Sequence, residues 1–191
     1  MSTFSLNTNT DVDPRSFASA GDVRAAFNKR REELQWLAFF ITADEASAAE
    51  CVTDACTLTE NHNSVFEQWL ATWARYATIR SAINQQIQKI KELSSRYQDD
   101  GCTHGTHARL STELIQRVVE QTDWYTRSLD VTERATLIIC GVEGHSISEA
   151  ASLLGQSKAT VMSAYCAALS ALEAGPGAAQ YRDLGVADRW F

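Results

Sequence analysis

Apolar residues recur every three or four positions along most of the chain, and the alternation of apolar and polar residues typical of β-strands is almost absent. This pattern predicts helices. The first covers residues 22–41, and the second begins after Asp44, a residue type that caps helix N-termini. The second helix is predicted to bury Ala48, Cys51 or Val52, Ala55 and Leu58.

A third and longer stripe covers residues 64–90, where Ser64 and Glu67 have the spacing of a capping box. The stripe ends where the composition changes. Residues 94–109 are polar, contain two glycines and have no apolar period, which predicts a linker. The predicted buried face of this third helix consists of Phe66, Trp69, Trp73, Tyr76, Ile83, Ile87 and Ile90.

Four shorter helices are predicted beyond the linker, over residues 111–127, over TERATLIIC, over SEAASLLG and from Ser157 onward. The predicted fold class is therefore all-α, with two small helical modules joined by the linker. The predicted divisions are a flexible N-terminus (1–20), the first module (21–93), the linker (94–109), the second module (110–174) and a C-terminal tail (175–191).

The segment SISEAASLLGQSKATVMSAYCAAL, residues 146–169, has the features of a helix-turn-helix. Ala151 is small where two helices cross, Gly155 suits a left-handed turn residue, and Val161 is apolar where the second helix enters the core. A helical hairpin that only packs is the alternative. The residues predicted to contact DNA are Ser157, Lys158 and Thr160 at the helix N-terminus, and Met162, Ser163 and Tyr165 toward base edges.

The overall charge argues against strong non-specific binding of nucleic acid, because the net charge is −7. With 45% hydrophobic residues, the chain of 191 residues can bury a core. Five cysteines without a regular framework predict free thiols in a reducing compartment. Neither a signal peptide nor a membrane-spanning apolar run is recognisable, so we predict a cytoplasmic protein without a membrane span.

The third helix carries a candidate surface for single-stranded DNA. Arg75, Tyr76 and Arg80 are interleaved with Trp69 and Trp73, and such a platform stacks bases on aromatic rings and pairs phosphates with cations. The alternative is that the aromatic residues belong to the core. We predict that the two tryptophans are core residues and that Arg75, Tyr76 and Arg80 contact DNA.

Two other groups of residues have the chemistry of possible sites. Glu50 and Asp54 lie four positions apart on one face of the second helix, which by itself is typical of a solvated face. Cys102, His104 and His107 are zinc-ligand types at short spacing, but no fourth ligand is evident, so a polar loop is the prediction. No phosphate-binding loop, Ser-His-Asp arrangement or paired buried carboxylates are recognisable, and we predict neither an enzyme nor a bound cofactor or metal.

Residues 129–172 resemble the region-four domain of bacterial sigma factors, especially those of the extracytoplasmic-function (ECF) group. Upstream, LAFFITADEASAAECVTDACTL and WLATWARYATIRSAI resemble the family's region two, and the resemblance covers residues 24–93 and 110–172 in all. The retained motif residues are Trp69, Leu70, Ala74, Arg75, Leu129, Glu143, Gly144, Ser146, Glu149, Ala151, Leu154, Gly155, Thr160, Val161 and Ser163.

The resemblance implies a factor that binds RNA polymerase core, holds melted promoter DNA with region two and reads promoter DNA with region four. It places Glu50 and Asp54 against the polymerase clamp. The recognition helix departs from the family pattern, since Met162 stands where Lys is usual, and Ala164 and Ala167 stand where Arg is usual.

Residues 129–172 carry two basic residues against four acidic ones, so the module that would sit on DNA is itself net negative. In the melting helix, Tyr76 replaces the usual Asn and Arg80 the usual Asp. Two hypotheses follow. One is an ECF-like sigma factor, and the other is a degenerate sigma-like regulator that binds an anti-sigma factor or the polymerase with little DNA reading of its own.

Overall fold

The computed structural model describes residues 16–61, 65–97 and 109–182, with side chains through residue 175. Within these ranges the protein is all-α, as predicted, and its only β-type pairing is an isolated antiparallel bridge between Phe17 and Phe66. Ser64, most of the predicted linker and most of the predicted tail lie outside the described residues. The helices are α1 (Ala20–Lys29), α2 (Arg31–Thr42), α3 (Glu45–Asn61), α4 (Leu70–Leu93), α5 (Thr112–Glu120), α6 (Thr122–Ser128), α7 (Val131–Thr136), α8 (Ile147–Leu154) and α9 (Lys158–Arg182).

The first predicted helix is in fact two helices, because the chain breaks at Arg30. This residue has φ −113° and ψ 16°, which are not helical values, and its guanidinium group pairs with Glu33 in the first turn of α2 at 3.0 Å. The apolar period continues across the break, since Phe27 and Leu34 are both buried. The hydrophobic pattern alone therefore did not reveal the break between α1 and α2.

We refer to helices α1–α4 as the N-terminal module, which packs around α2, α3 and α4. Its buried residues belong to one hydrophobic core that continues into the later helices. Asp44 caps α3 as predicted, and its carboxylate accepts a hydrogen bond from the Ser47 backbone N–H at 2.8 Å. One inward prediction for α3 is wrong, because Leu58 is 56% exposed. The largest core side chains of this module are Leu34, Leu37, Phe40, Ile41, Ile83 and Ile90.

The buried face of α4 differs from the predicted one. Trp69 is 62% exposed and Trp73 is 41% exposed, so the prediction that they are core residues is wrong. Ala74 and Ala82 are fully buried instead, and these small side chains let α4 approach its neighbouring helices closely. The buried face consists of Leu70, Ala74, Thr78, Ile79, Ala82, Ile83, Gln86 and Ile90.

Helices α5–α9 form the C-terminal module, in which α8 and α9 make the helix-turn-helix. Ser146 and Glu149 form the capping box at the start of α8. Gly155 ends α8 with φ 61°, the left-handed conformation that a side chain would strain. A π-helical segment, Leu137–Val142, follows α7 directly and is buried throughout. The local signals in this part of the sequence therefore predicted the turn correctly.

The two modules are packed against each other. Trp36 on α2 donates its indole N–H to the Thr122 hydroxyl on α6 at 2.8 Å. Arg134 on α7 is 7% exposed and donates to the Ile41 carbonyl at 3.0 Å, which places a cation at the C-terminal end of α2. Burial lowers the pKa of Arg134, and carbonyl groups of both modules satisfy its guanidinium group.

Candidate nucleic-acid and protein interfaces

The outer face of α4 presents aromatic side chains to solvent. Trp73 donates its indole N–H to the Thr59 hydroxyl on α3 at 3.3 Å, and its ring lies 5.6 Å from the ring of Tyr76. Arg80 follows one turn later, is exposed, and has no hydrogen bond or ion pair within the described ranges. Over its whole length α4 carries four basic residues and one acidic residue. Rings and cations on one helix are the components of a surface that binds an unpaired nucleic-acid strand.

Arg75 does not belong to this exposed face. Its guanidinium group pairs with Glu33 on α2 and donates from Nε to Glu143 at 3.0 Å. Glu143 lies in the C-terminal module, just before α8. The side chain of Arg75 is neutralised by two carboxylates, so the predicted contact with DNA would require it to exchange these partners for a phosphate.

Two aromatic residues that sequence reasoning did not assign to a site lie beside Trp69. Phe17, in the predicted flexible N-terminus, stacks on Phe66 with ring centroids 4.6 Å apart and planes 17° apart. Phe66 meets the edge of Trp69 at 6.1 Å. Phe66 is only partly buried, although it was predicted for the core. The position of Phe17 depends on the pairing of two segments that are distant in sequence, and hydrophobic periodicity does not reveal such pairing.

The recognition helix α9 exposes little of its predicted DNA-contacting face. Ser157 and Lys158 are exposed at its N-terminus, as the prediction requires. Thr160 is buried, and its backbone N–H donates to the Ser157 hydroxyl oxygen at 3.0 Å, so these residues cap the helix. Met162 and Ser163 are half-buried.

Tyr165 is part of the core of the C-terminal module. It is 2% exposed, and burial raises the pKa of its hydroxyl to about 12. The predicted contact with a base edge would require Tyr165 to leave the core, and the buried Thr160 would likewise have to become exposed to contact DNA. Ala164, which stands at a position where the family usually has Arg, is fully buried as well. An arginine there would have no access to solvent without repacking of the module.

A groove of about 770 Å³ separates α3 from α4. Leu58 and Trp73 contribute apolar surface, and Glu50 and Asp54 line it from α3. Both carboxylates are exposed, and Glu50 accepts a hydrogen bond from the Gln85 amide at 3.3 Å. Because α3 carries four acidic residues and no basic one, this side of the groove suits a basic protein partner.

The structure describes only some of the cysteines and none of the zinc-ligand-type residues of the predicted linker. Cys51, Cys56 and Cys140 are free thiols, but Cys166 is disulfide-bonded, so the prediction of free thiols is wrong for that residue. Cys102, His104 and His107 lie outside the described residues. In the described ranges, no group of three or more potential metal ligands occurs, and no helix is long and apolar enough to cross a bilayer.

No family model matches the sequence, and neither a curated protein nor a solved structure matches it significantly. Function must therefore be argued from the chemistry of these surfaces and from the sigma-factor resemblance.

Proposed function

We propose that the protein is an ECF-like sigma factor that binds RNA polymerase core and directs transcription initiation at promoter DNA. The acidic face of α3 docks on the polymerase, α4 holds the melted DNA strand, and the N-terminus of α9 approaches duplex DNA. The observation that supports this proposal is the groove between α3 and α4, whose two walls differ in chemistry. The α3 wall presents Glu50 and Asp54, and the α4 wall presents Trp73, Tyr76 and Arg80, with the exposed Trp69 just before α4.

Each surface has its own physical support. Carboxylates on α3 offer charge complementarity to basic side chains, which speeds and orients protein association. Exposed indoles on α4 offer flat faces to unstacked bases, and Arg80 is available to a phosphate. On α9, Ser157 and Lys158 stand where the unpaired backbone N–H groups of a helix attract an anion.

The decisive experiment is reconstituted transcription. Purified protein is mixed with the cognate RNA polymerase core and fragmented genomic DNA, and the 5′ ends of the transcripts are sequenced. The proposal requires transcripts that start at defined positions and that depend on the added protein. Transcription indistinguishable from that of core alone refutes it.

Reversing the charge of the α3 carboxylates tests the binding of RNA polymerase core separately from DNA melting and promoter reading. Glu50→Lys with Asp54→Lys should weaken core binding at least about tenfold, because rim charges set the association rate and the electrostatic fit. Glu92→Lys with Glu120→Lys is the matched control, since both residues are exposed and neither lies on α3. Equal core affinity in the two double variants would remove the α3 face from the proposal.

A degenerate sigma-like regulator is the second candidate function, and one observation favours it. Because Thr160, Ala164 and Tyr165 are buried, α9 offers few side chains to a DNA groove. Such a regulator binds core or an anti-sigma factor and yields no specific transcripts in the reconstituted assay. Core binding without specific transcription would therefore select this candidate.

A further inference from the structure

The N-terminal segment before α1 is fixed against the segment that leads into α4. The backbone N–H of Ala18 donates to the Val65 carbonyl at 2.9 Å, and the N–H of Glu67 donates to the Ser16 carbonyl at 3.1 Å. These two hydrogen bonds hold the ring of Phe17 in place from the backbone. The ring nevertheless remains 59% exposed.

Phe17 is the first member of an aromatic row that consists of two groups of contacting rings. Its ring stacks on Phe66, Phe66 meets Trp69, and Trp73 lies one helical turn after Trp69 and contacts Tyr76. Phe17, Trp69 and Trp73 are three of the five exposed large hydrophobic side chains in the described ranges. Exposed apolar surface concentrated in one place marks a binding site, because leaving it in water is unfavourable.

The chemistry of the row favours a single-stranded nucleic acid as its occupant. Flat rings with exposed faces stack on bases of any sequence, and a helical peptide has no comparable flat groups along its whole length. The row ends near Arg80, which is exposed on the basic helix α4 and available to a phosphate. The rings can stack on bases, and Arg80 can pair with a phosphate of the same unpaired strand.

We propose that Phe17 is a nucleic-acid-binding residue, and that Phe17 and Phe66 extend the stacking platform of α4 so that an unpaired base stacks on Phe17. This inference rests on the proposed function in one respect, namely that α4 binds the unpaired strand. Phe17 lies outside the part of the chain that resembles sigma factors, so the resemblance does not assign it.

The test uses the full chain and a fluorescein-labelled oligothymidine, with affinity measured by anisotropy. Phe17→Leu keeps apolar bulk but removes the flat ring, and we expect at least about a fivefold loss of affinity. Phe17→Trp keeps a flat ring and should bind at least as well as wild type. Val119→Ala is the control, because Val119 is exposed in the other module and its loss should leave affinity unchanged.

Trp69→Ala distinguishes the inference from the proposed function. If Trp69→Ala weakens binding and Phe17→Leu does not, the platform ends at α4 and the inference is wrong, while the proposed function stands. If neither variant changes the affinity, the row does not bind a single strand and both proposals fail. Equal losses for Phe17→Leu and Phe17→Trp would exclude stacking and also overturn the inference.

A second measurement keeps an aromatic ring at position 17, in case Phe17→Leu disturbs the N-terminal segment before α1. Site-specific incorporation of 4-fluorophenylalanine at position 17 gives a ¹⁹F signal that should shift as oligothymidine is added. An unchanged signal at saturating oligonucleotide contradicts the inference. So does loss of polymerase-core binding in Phe17→Leu with full oligonucleotide affinity, because that result would make the row a protein-docking surface.

Discussion

Helices α4 and α9 are the two elements that the sigma-factor resemblance assigns to DNA. They differ in whether their aromatic side chains are exposed or buried. Trp73 on α4 and Trp69 just before it face solvent, and alanines of α4 fill the contact with neighbouring helices. On α9, Tyr165 fills the core of its module. The proposed binding of nucleic acid therefore depends mainly on α4, whereas the buried side chains of α9 belong to the core.

The most direct way to break this comparison is to truncate one aromatic residue on each helix. Tyr165→Ala should lower the free energy of unfolding by about 3 kcal/mol, because it leaves a cavity in a packed core. Trp69→Ala should change it by no more than about 0.5 kcal/mol, since the ring is largely exposed. Urea denaturation followed by circular dichroism measures both, and similar losses in the two variants would contradict the assignment of faces.

Two arginines make contacts between the modules, Arg75 on α4 and Arg134 on α7. They extend the comparison from surface residues to residues of the interface. Arg134→Lys should cost about 2 kcal/mol of unfolding free energy, since an ammonium group cannot make all the guanidinium hydrogen bonds to buried carbonyls. Arg75→Gln should cost about 1 kcal/mol or less, because its ion pairs are partly exposed. Thermal and urea denaturation give the ranking, and a larger loss for Arg75→Gln would reverse our interpretation of the interface.

Salt dependence tests α4 and α9 separately as the proposed DNA-binding surfaces. Arg80→Gln should reduce the log–log salt slope for single-stranded DNA by about 0.7, and Lys158→Gln should reduce that for duplex DNA by about 0.9. Each variant serves as the control for the other, because Arg80 should not affect duplex binding nor Lys158 single-strand binding. A change in both slopes from either substitution would mean that one surface binds both forms of DNA.

The smallest expected effect is on the pH dependence of stability, and it arises at the start of α8, which has a side-chain cap that the start of α4 lacks. Hydrogen bonds from Ser146 lower the pKa of Glu149 at the start of α8, whereas the start of α4 has no side-chain cap. Because the pKa of Glu149 is lower in the native state than in the unfolded state, its ionised carboxylate stabilises the fold at pH values above the unfolded pKa. This stabilisation is lost as the pH falls through the native pKa. Glu149→Gln keeps a capping-box side chain but does not titrate, so its stability should fall less between about pH 7 and about pH 3. Parallel denaturation curves at several pH values test this, and identical pH profiles would contradict it.

Features specified by neighbouring residues could be predicted from the sequence. The Asp44 cap, the capping box of Ser146 and Glu149, and the left-handed Gly155 all depend on residues within a few positions of each other. The face of α4 could not be predicted from period alone, because both the tryptophan stripe and the alanine stripe satisfy helical spacing. Close approach of neighbouring helices selected the smaller residues.

The candidate site was predicted only in part for the same reason. Arg80 is exposed and Tyr76 is half-buried in the groove wall, whereas the carboxylates that neutralise Arg75 come from distant parts of the chain. The contact between Phe17 and Phe66 likewise joins two separate segments. Long-range contacts of this kind follow from the packed structure and leave no periodic signal in the sequence.

The contacts between the modules have a consequence for fragments of the chain. Trp36 and Thr122, Ile41 and Arg134, and Arg75 and Glu143 meet across the interface although each pair is far apart in sequence. A single backbone cut between residues 97 and 109 would leave these contacts unbroken. The two halves should therefore stay together as a nicked complex and reassemble when they are produced separately, with the intact backbone serving to raise their effective concentration.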